Sequence, residues 1–280
     1  MALLKTLKPL LSSAAIAMFV ILAMTNKAYS QSESTSFTYD FYGDKPTTLT
    51  YQGDAFFPPD STFLRLTKTA SGVSVPGTVG RVLHTAPVLF RREGALASFE
   101  TSIEFNISSW TSTTQPADGI VFFVAPVGST IPQYSVGGNL GVYSLYGQAP
   151  NVLAIEFDIF VNSPYDPSFP HIGINLGSRT STNVTRFEGT IGQRVRARIN
   201  YEAATKVISV RATAGAANYE VSLVYDLSAL LPEQVQVGLS GASGLEWEDA
   251  AVHDVVSWYF TSTLVNNFVS EEKGTKIAQV

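Results

Sequence analysis

Between about residue 97 and residue 264 this chain is a series of short runs, in most of which apolar residues recur at every second position, with no helical period longer than a turn or so. Side chains alternate across an extended strand, whereas a helix brings like residues together three and four apart. This period therefore selects β-structure. "ASFETSIEFNI" (97–107) alternates polar and apolar residues and predicts a strand with one buried face. "GIVFFVAPV" (119–127) is apolar throughout and predicts a strand covered on both faces. "RVRARINYEAATKVISVRATAG" (194–215) reads as a hairpin turning at Glu202–Thr205, and "NYEVSLVYDL" (218–227) continues it. "QVQVGLSGASG" (234–244) and "SWYFTSTL" (257–264) close the series, while "SALLPE" (228–233) allows one short helical turn. Gly, Pro, Ser and Asn gather between the runs, and no repeat or composition break divides them. The expected architecture is all-β, one domain folded as a β-sandwich or jelly roll.

The ends of the chain read differently. Residues 1–30 combine a positive start (Lys5, Lys8), an apolar run at 14–24 and the small residues of "AYS", the layout of a secretory signal peptide cut near Ser30. That run is too short to favour a membrane anchor, and no other apolar stretch reaches spanning length. Residues 31–265 are expected to form the domain, and the polar segment 266–280 a tail, removable as a propeptide. The expected address is the secretory pathway, extracellular or vacuolar. Asn106 ("NIS") and Asn183 ("NVT") are candidate glycosylation sites. The chain has no cysteine, so stability must come from a large core, association or bound ions. Three of the 18 basic residues (Lys5, Lys8, Lys27) and none of the 23 acids fall in the leader, leaving a mature excess of eight acids. Such a balance argues against nucleic acid, whose phosphates are bound through Lys and Arg. It suits neutral ligands and cations.

The stretch "IEFDIFVNSPYDPSFPH" (155–171) concentrates chemistry. Read as a strand, Ile155, Phe157, Ile159 and Val161 share a core face, and Glu156, Asp158, Phe160 and Asn162 share the other, in steps of roughly 6.6 Å. Neighbouring carboxylates repel unless a cation lies between them. Three prolines then stiffen a segment that adds Asp166 and His171. Carboxylate and amide oxygens suit Ca²⁺. An imidazole among carboxylates suits Mn²⁺ or Zn²⁺. Two ions sharing Asp158 and Asp166 would use every group. Two other readings stand beside this one. The stretch also fits a solvated polar face followed by a turn. It also approaches the E-x-D-x-E pattern of some sandwich-fold glycosidases, but Phe160 occupies the third acidic position. H-E-x-x-H, G-x-S-x-G and P-loop patterns are absent. Asp118, just before Gly119, reads on its own as a turn residue.

The spaced pattern "EFDIFVN…DPSFPHIGI" resembles the metal signature of the legume lectin family. The likeness extends over most of residues 36–264, through "YQGDA" (51–55), "VGRVLHTAPV" (79–88), "PADGIVFFVAP" (116–126), "GGNLGVY" (137–143), "DLSALLPEQVQVGLSGASG" (226–244) and "HDVVSWYFTSTL" (253–264). The resemblance implies a jelly-roll β-sandwich with a flat back sheet and a curved front sheet, and a calcium- and manganese-dependent carbohydrate-binding lectin without catalysis. It implies that Glu156, Asp158, Asp166 and His171 hold the transition ion, with Ser181 reaching it through water. Calcium would be held by Asp158, Asn162, Asp166 and the carbonyl of Phe160. A shallow sugar site would use the carboxylate of Asp118 behind a cis Ala117–Asp118 peptide, the N–H of Gly138, the amide of Asn162 and the ring of Phe160. The fourth loop of that site, "SGLEWEDAAVHD" (243–254), would add the N–H of Leu245, and Glu246 beside it. Its length accompanies galactose or N-acetylgalactosamine preference in the family more often than mannose or glucose; the three tryptophans read by default as core or rim residues, and Trp247, in this loop, is the one within reach of a larger glycan. Family members pair back sheets as homodimers or homotetramers. The sequence departs from the family at Asn175 and Gly177 of "HIGINLGS", and Phe187 stands where tryptophan is usual. A defence or storage relative without sugar binding is the rival within the family, although such relatives usually lose metal ligands or the fourth loop.

Overall fold

The computed structural model of the protein describes residues 32–109 and 116–265. The expected signal peptide, the expected tail and Trp110 lie outside the described residues. Glu33–Leu264 forms one compact unit. Its first half contains β1 (Ser32–Tyr39), β2 (Leu49–Gly53), β3 (Leu64–Arg65), β4 (Thr69–Ala70), β5 (Val73–Ser74), β6 (Val79–His84), β7 (Val88–Leu89), β8 (Arg91–Arg92) and β9 (Ala95–Ser109). The second contains β10 (Asp118–Pro126), β11 (Gln148–Asp158), β12 (His171–Ser178), β13 (Asn183–Arg186), β14 (Arg194–Glu202), β15 (Val207–Ala214), β16 (Ala217–Val224), β17 (Gln234–Ser243) and β18 (Ala251–Val265). Single 3₁₀ turns at Gly137–Asn139 and Leu227–Ala229 are the helical elements among the described residues.

The strands form an antiparallel jelly-roll sandwich. The first sheet runs β1-β18-β9-β14-β15-β16 and the second β13-β12-β11-β10-β17-β6-β2. The predicted hairpin pairs Val195 with Ala214 and Glu202 with Val207. Its inward residues Val195, Ala197, Ile199 and Tyr201 are buried. Its outward arginines meet acids on β9, Arg198 with Glu100 at 2.6 Å and Arg196 with Glu104 at 3.0 Å. Asn106 lies on that outer face, level with Arg194 and Asp254. Asn183 is exposed on β13, its Nδ2 donating to the Ser222 carbonyl at 2.8 Å.

Two cores result. The larger fills the space between the sheets, with Ile103, Phe105, Trp258 and Phe260 from one side and Phe122, Ile155, Phe157 and Leu239 from the other. The smaller lies on the opposite face of the second sheet, where Val121, Phe123 and Ala154 pack against Leu140, Val142 and Tyr143 from the β10–β11 connection. β10 thus has Ile120, Phe122 and Val124 in one core and Val121, Phe123 and Ala125 in the other. That is why its sequence is apolar without a break. Among the described residues no helix is long and apolar enough to cross a membrane.

Two of the strand limits that differ from the alternation reading have a local cause. β18 begins at Ala251, because a bulge between Val255 and Ser257 inserts one residue and breaks the period. β11 ends at Asp158 rather than running on through Asn162.

Phe105 is fully buried, its ring 5.1 Å from that of Phe157 across the sheets. Phe105→Ala is expected to cost about 3–5 kcal/mol, the range for emptying a large aromatic site. Urea unfolding checks it; a loss below ~1 kcal/mol would show that this ring pair does not hold the sandwich together.

Candidate functional site

Neighbouring strands of the second sheet bring the acidic residues together. Asp158 pairs with Gly119 of β10 on one side and His171 of β12 on the other. Glu156 lies level with Val121, so its side chain points to the smaller core. Glu156, Asp158 and His171 are each exposed by 2% or less, which removes the solvated-face reading. Asp166 arrives from the loop between β11 and β12. In that loop the Asn162 carbonyl accepts the N–H groups of Tyr165 (3.2 Å) and Asp166 (3.3 Å). Asp166 Oδ2 accepts the N–H of Asn162 at 2.7 Å. Ligand atoms of Asp158, Asp166 and His171 all lie within 4.8 Å of one another. His171 Nε2 is 3.0 Å from Glu156 Oε1, and the Ser181 hydroxyl donates to that same oxygen at 2.5 Å.

Where β11 stops, the Ile159 N–H donates to the Asp118 carbonyl at 2.9 Å, and Phe160 N–H donates to Asp158 Oδ1 at 2.9 Å. Phe160 and Asn162 therefore belong to the returning loop and not to a strand face, a correction to the simple alternation. Asn162 still reaches the site, because the loop folds back and its Nδ2 donates to Asp118 Oδ1 at 3.3 Å. Asp118 is buried behind a cis peptide with Ala117. Asp118 Oδ2 and Asn162 Oδ1 are buried and lack a hydrogen-bond partner.

Burial dominates the electrostatics. It pushes Asp118 up to about 7, with Asp249 and Asp166 adding repulsion against the Asn162 hydrogen bond. Burial, then Glu156 and Asp166, holds Asp158 well above the carboxylate range. Burial raises Asp166 to about 6, opposed by the Asn162 N–H. Carboxyls that keep protons so readily are sites where a cation can replace the proton. Several oxygens with one imidazole are the donor set of a calcium ion beside a transition ion. The residues fit both.

On the ligand side, Gly138 occupies the 3₁₀ turn Gly137–Asn139. A Cβ there would stand 2.6 Å from both Asn162 Oδ1 and the Tyr165 hydroxyl. The Leu245 side chain lies about 3.5 Å from where a Gly137 Cβ would be, and that Cβ would be 3.7 Å from Asp118 Oδ2. The fourth loop is tied down here, through Gly244 N–H to the Ala117 carbonyl (3.0 Å) and Ala117 N–H to the Asp249 carbonyl (2.7 Å). Glu246 N–H donates to Asp249 Oδ1 at 2.9 Å while its side chain is exposed. Leu245 and Trp247 are 58% and 59% exposed. Phe160 is half-buried and helps wall a cavity of ≈ 360 Å³ with Pro116, Val161, Phe187 and Ile191.

Sequence reasoning missed several supports of this site, two of them deeply buried. Arg81 is 2% exposed, and burial lowers its guanidinium to about 10. It stacks over Phe123 at 4.1 Å and donates to the carbonyls of Thr130 (2.9 Å) and Gly141 (3.2 Å), closing the base of the loop that carries Gly138. Its signal was an arginine between Val79 and Leu83, on a face where alternation calls for an apolar residue. Asn175, noted only as a departure, is fully buried and donates to Glu156 Oε1 at 3.1 Å while accepting the Ser181 hydroxyl at 3.1 Å. Its signal was period two from His171 through Gly173.

The legume lectin domain model matches residues 34–276. Agglutinin-2 of Cladrastis kentukea is 38% identical over 96% of this chain and 95% of its own length. A mannose/glucose-specific lectin of Centrolobium tomentosum is 38% identical over 84% of this chain and 98% of its own. The structure of the winged bean acidic lectin complexed with methyl-α-D-galactose superposes with a TM-score of 0.77, at 35% identity over 84% of this chain and all of that one.

The raised carboxyls give a signed pH dependence. Ion-free folded protein holds protons on Asp166 and Asp118 up to about pH 6 and 7, whereas the unfolded chain releases them near 4. Between those values the folded state binds more protons. The resulting stability is fully present below about pH 4 and is lost as pH rises through about 6 and 7. Chelator-treated protein is expected to melt at lower temperature at pH 7.5 than at pH 5. Adding Ca²⁺ and Mn²⁺ should raise Tm more at pH 7.5. Thermal melts at the two pH values decide it, and an ion response equal at both would refute the assignment.

Proposed function

The chain belongs to the legume lectin family, and from that premise we propose that it is a non-catalytic lectin binding glycans of glycoproteins or cell surfaces in a Ca²⁺- and Mn²⁺-dependent way. The observation that carries the reading is the pair of buried, unpartnered oxygens, Asp118 Oδ2 and Asn162 Oδ1. Such atoms are costly unless a ligand satisfies them. Glu156, Asp158, Asp166 and His171 would hold manganese, with Ser181 near it. Asp158, Asn162, Asp166 and the Phe160 carbonyl would hold calcium. Bound ions supply the positive charge that offsets these buried carboxylates. Asp118 then accepts hydrogen bonds from sugar hydroxyls, Gly138 and Leu245 offer N–H groups, and Asn162 donates its amide. Phe160 covers an apolar sugar face, and Glu246 borders it.

The fourth loop, with Leu245 and Trp247 turned outward, supports galactose- or N-acetylgalactosamine-type glycans. The winged bean lectin carries a galactoside, while the Centrolobium relative is named for mannose and glucose, so the loop is the deciding feature. A shallow single site binds weakly, and a homodimer or homotetramer would multiply it. The leader-like N-terminus supports a secretory route ending outside the cell or in a vacuole, with glycans on Asn106 and Asn183. The glycosidase reading is weaker, because Phe160 occupies the place of the second acid.

A glycan array tests this. Binding to galactose-terminated glycans is expected with Ca²⁺ and Mn²⁺ and should vanish after chelation at acid pH. Mannose-only binding would overturn the sugar assignment, and binding unaffected by chelation would overturn the role of the ions. Asp158→Ala should abolish both ion and glycan binding. Gly138→Ala should weaken glycan binding by at least about tenfold, a shift of ~1.4 kcal/mol, and lower calcium affinity with it, because the added Cβ would press on Asn162 Oδ1; titration calorimetry with each ligand reads both, and unchanged glycan affinity would refute the close-approach role of Gly138.

A further inference from the structure

Arg179 touches both halves of this site. Its guanidinium carbon lies 3.7 Å from the ring centre of Tyr165. Tyr165 sits between Asn162 and Asp166 in the loop that returns to the carboxylates, and its hydroxyl lies against Gly138. From the same guanidinium, NH1 donates to Asn139 Oδ1 at 2.9 Å. Asn139 closes the turn that carries Gly138, is nearly buried, and donates through Nδ2 to the Tyr134 carbonyl at 3.4 Å.

The main chain of Arg179 is held as firmly. Its carbonyl accepts Asn175 Nδ2 at 2.9 Å, the amide that also holds Glu156. Its N–H donates to the Gly147 carbonyl at 2.9 Å. A Cβ on Gly147 would come within 2.6 Å of Arg179 Nε, so glycine leaves the passage for this side chain. Stacking on a ring while donating at the edge needs a planar fork, which lysine lacks.

We propose, on the lectin reading above, that Arg179 is a positioning residue that couples cation loading to the order of the Gly138 loop. Ordering of the 159–170 loop fixes the Tyr165 ring. The ring fixes the guanidinium, and the guanidinium holds Asn139 and with it the N–H of Gly138. Asn162 Oδ1 and the Tyr165 hydroxyl also lie directly beside Gly138, and the Arg179 bridge adds to that contact a hold on Asn139, the far end of the turn.

The test compares the full chain with Arg179→Met, which keeps the stem, and Arg179→Lys, which keeps the charge. Hydrogen exchange of residues 134–141 is measured with chelator and with Ca²⁺ plus Mn²⁺. Calorimetry gives ion affinity and affinity for methyl α-galactoside and methyl α-mannoside. In the wild type, ions should slow exchange in that segment. In Arg179→Met, ion affinity should stay within about threefold, ions should no longer slow the exchange, and sugar affinity should fall at least about tenfold. Arg179→Lys should fall between the two. Wild-type protection and affinity in Arg179→Met would overturn the proposal. So would a joint fall of ion affinity, melting temperature and protection, which marks a merely structural role. A wild type that shows ion-dependent protection but binds neither sugar would overturn the lectin reading and leave the coupling standing.

Discussion

Two carboxylates on one buried strand face are the constraint around which the site is organised. Glu156 and Asp158 share a side of β11 and are almost wholly removed from water. Like charges so placed are tolerated only when protonated, paired or bound to a cation. The surroundings offer each a different support. Glu156 receives hydrogen bonds from Asn175 and Ser181 beside the His171 ring, while Asp158 receives one backbone N–H from Phe160. No Arg or Lys reaches either carboxylate among the hydrogen bonds and ion pairs of the described residues. The chain surrounds these acids with an imidazole and amides in place of a cationic side chain, surroundings in which a proton or a bound cation would offset the charge.

The sandwich makes such a placement affordable. Its larger core lies between the sheets, on the side of β11 away from Glu156 and Asp158. The smaller core, on the outside of the second sheet, is the floor of the site. β10 serves both at once. It carries Asp118 at its start, next to Asp158, and buries alternate residues on opposite sides. Loops are thereby seated on packed side chains rather than on water. Arg81 anchors one of them from below, the fourth loop is laced to Ala117 from the side, and Arg179 spans the gap between the 159–170 loop and the turn at Gly138.

Much of this was legible in the sequence. Alternation gave β9 and β14 to β17 but left β1, β2, β6, β12 and β13 unread, and the unbroken run at 119–127 foretold a strand buried on both sides. It failed at Val255–Ser257, since a bulge spends one residue without a partner, and at Ile159, where the strand ends and the polar residues continue in a loop. The grouping of Glu156, Asp158, Asp166 and His171 was readable from spacing and residue type. Arg81 and Asn175 left faint periodic signals. Arg179 left none, for it lies at a strand end where period carries no information.

What the sequence determined by itself was local. Period two decides strand against helix, and a cluster of acids, an amide and a histidine within sixteen residues decides what kind of chemistry they can share. Tertiary structure decided which distant residues meet. Asp118 lies about forty residues from the cluster, Gly138 about twenty, and the fourth loop about seventy, and only the antiparallel order β11-β10-β17 sets them side by side. The physical reason is that strand pairing is a long-range choice, fixed by the packing of two cores as a whole. Residues such as Arg179, whose role lies in joining two loops, acquire that role only after the sheets have formed.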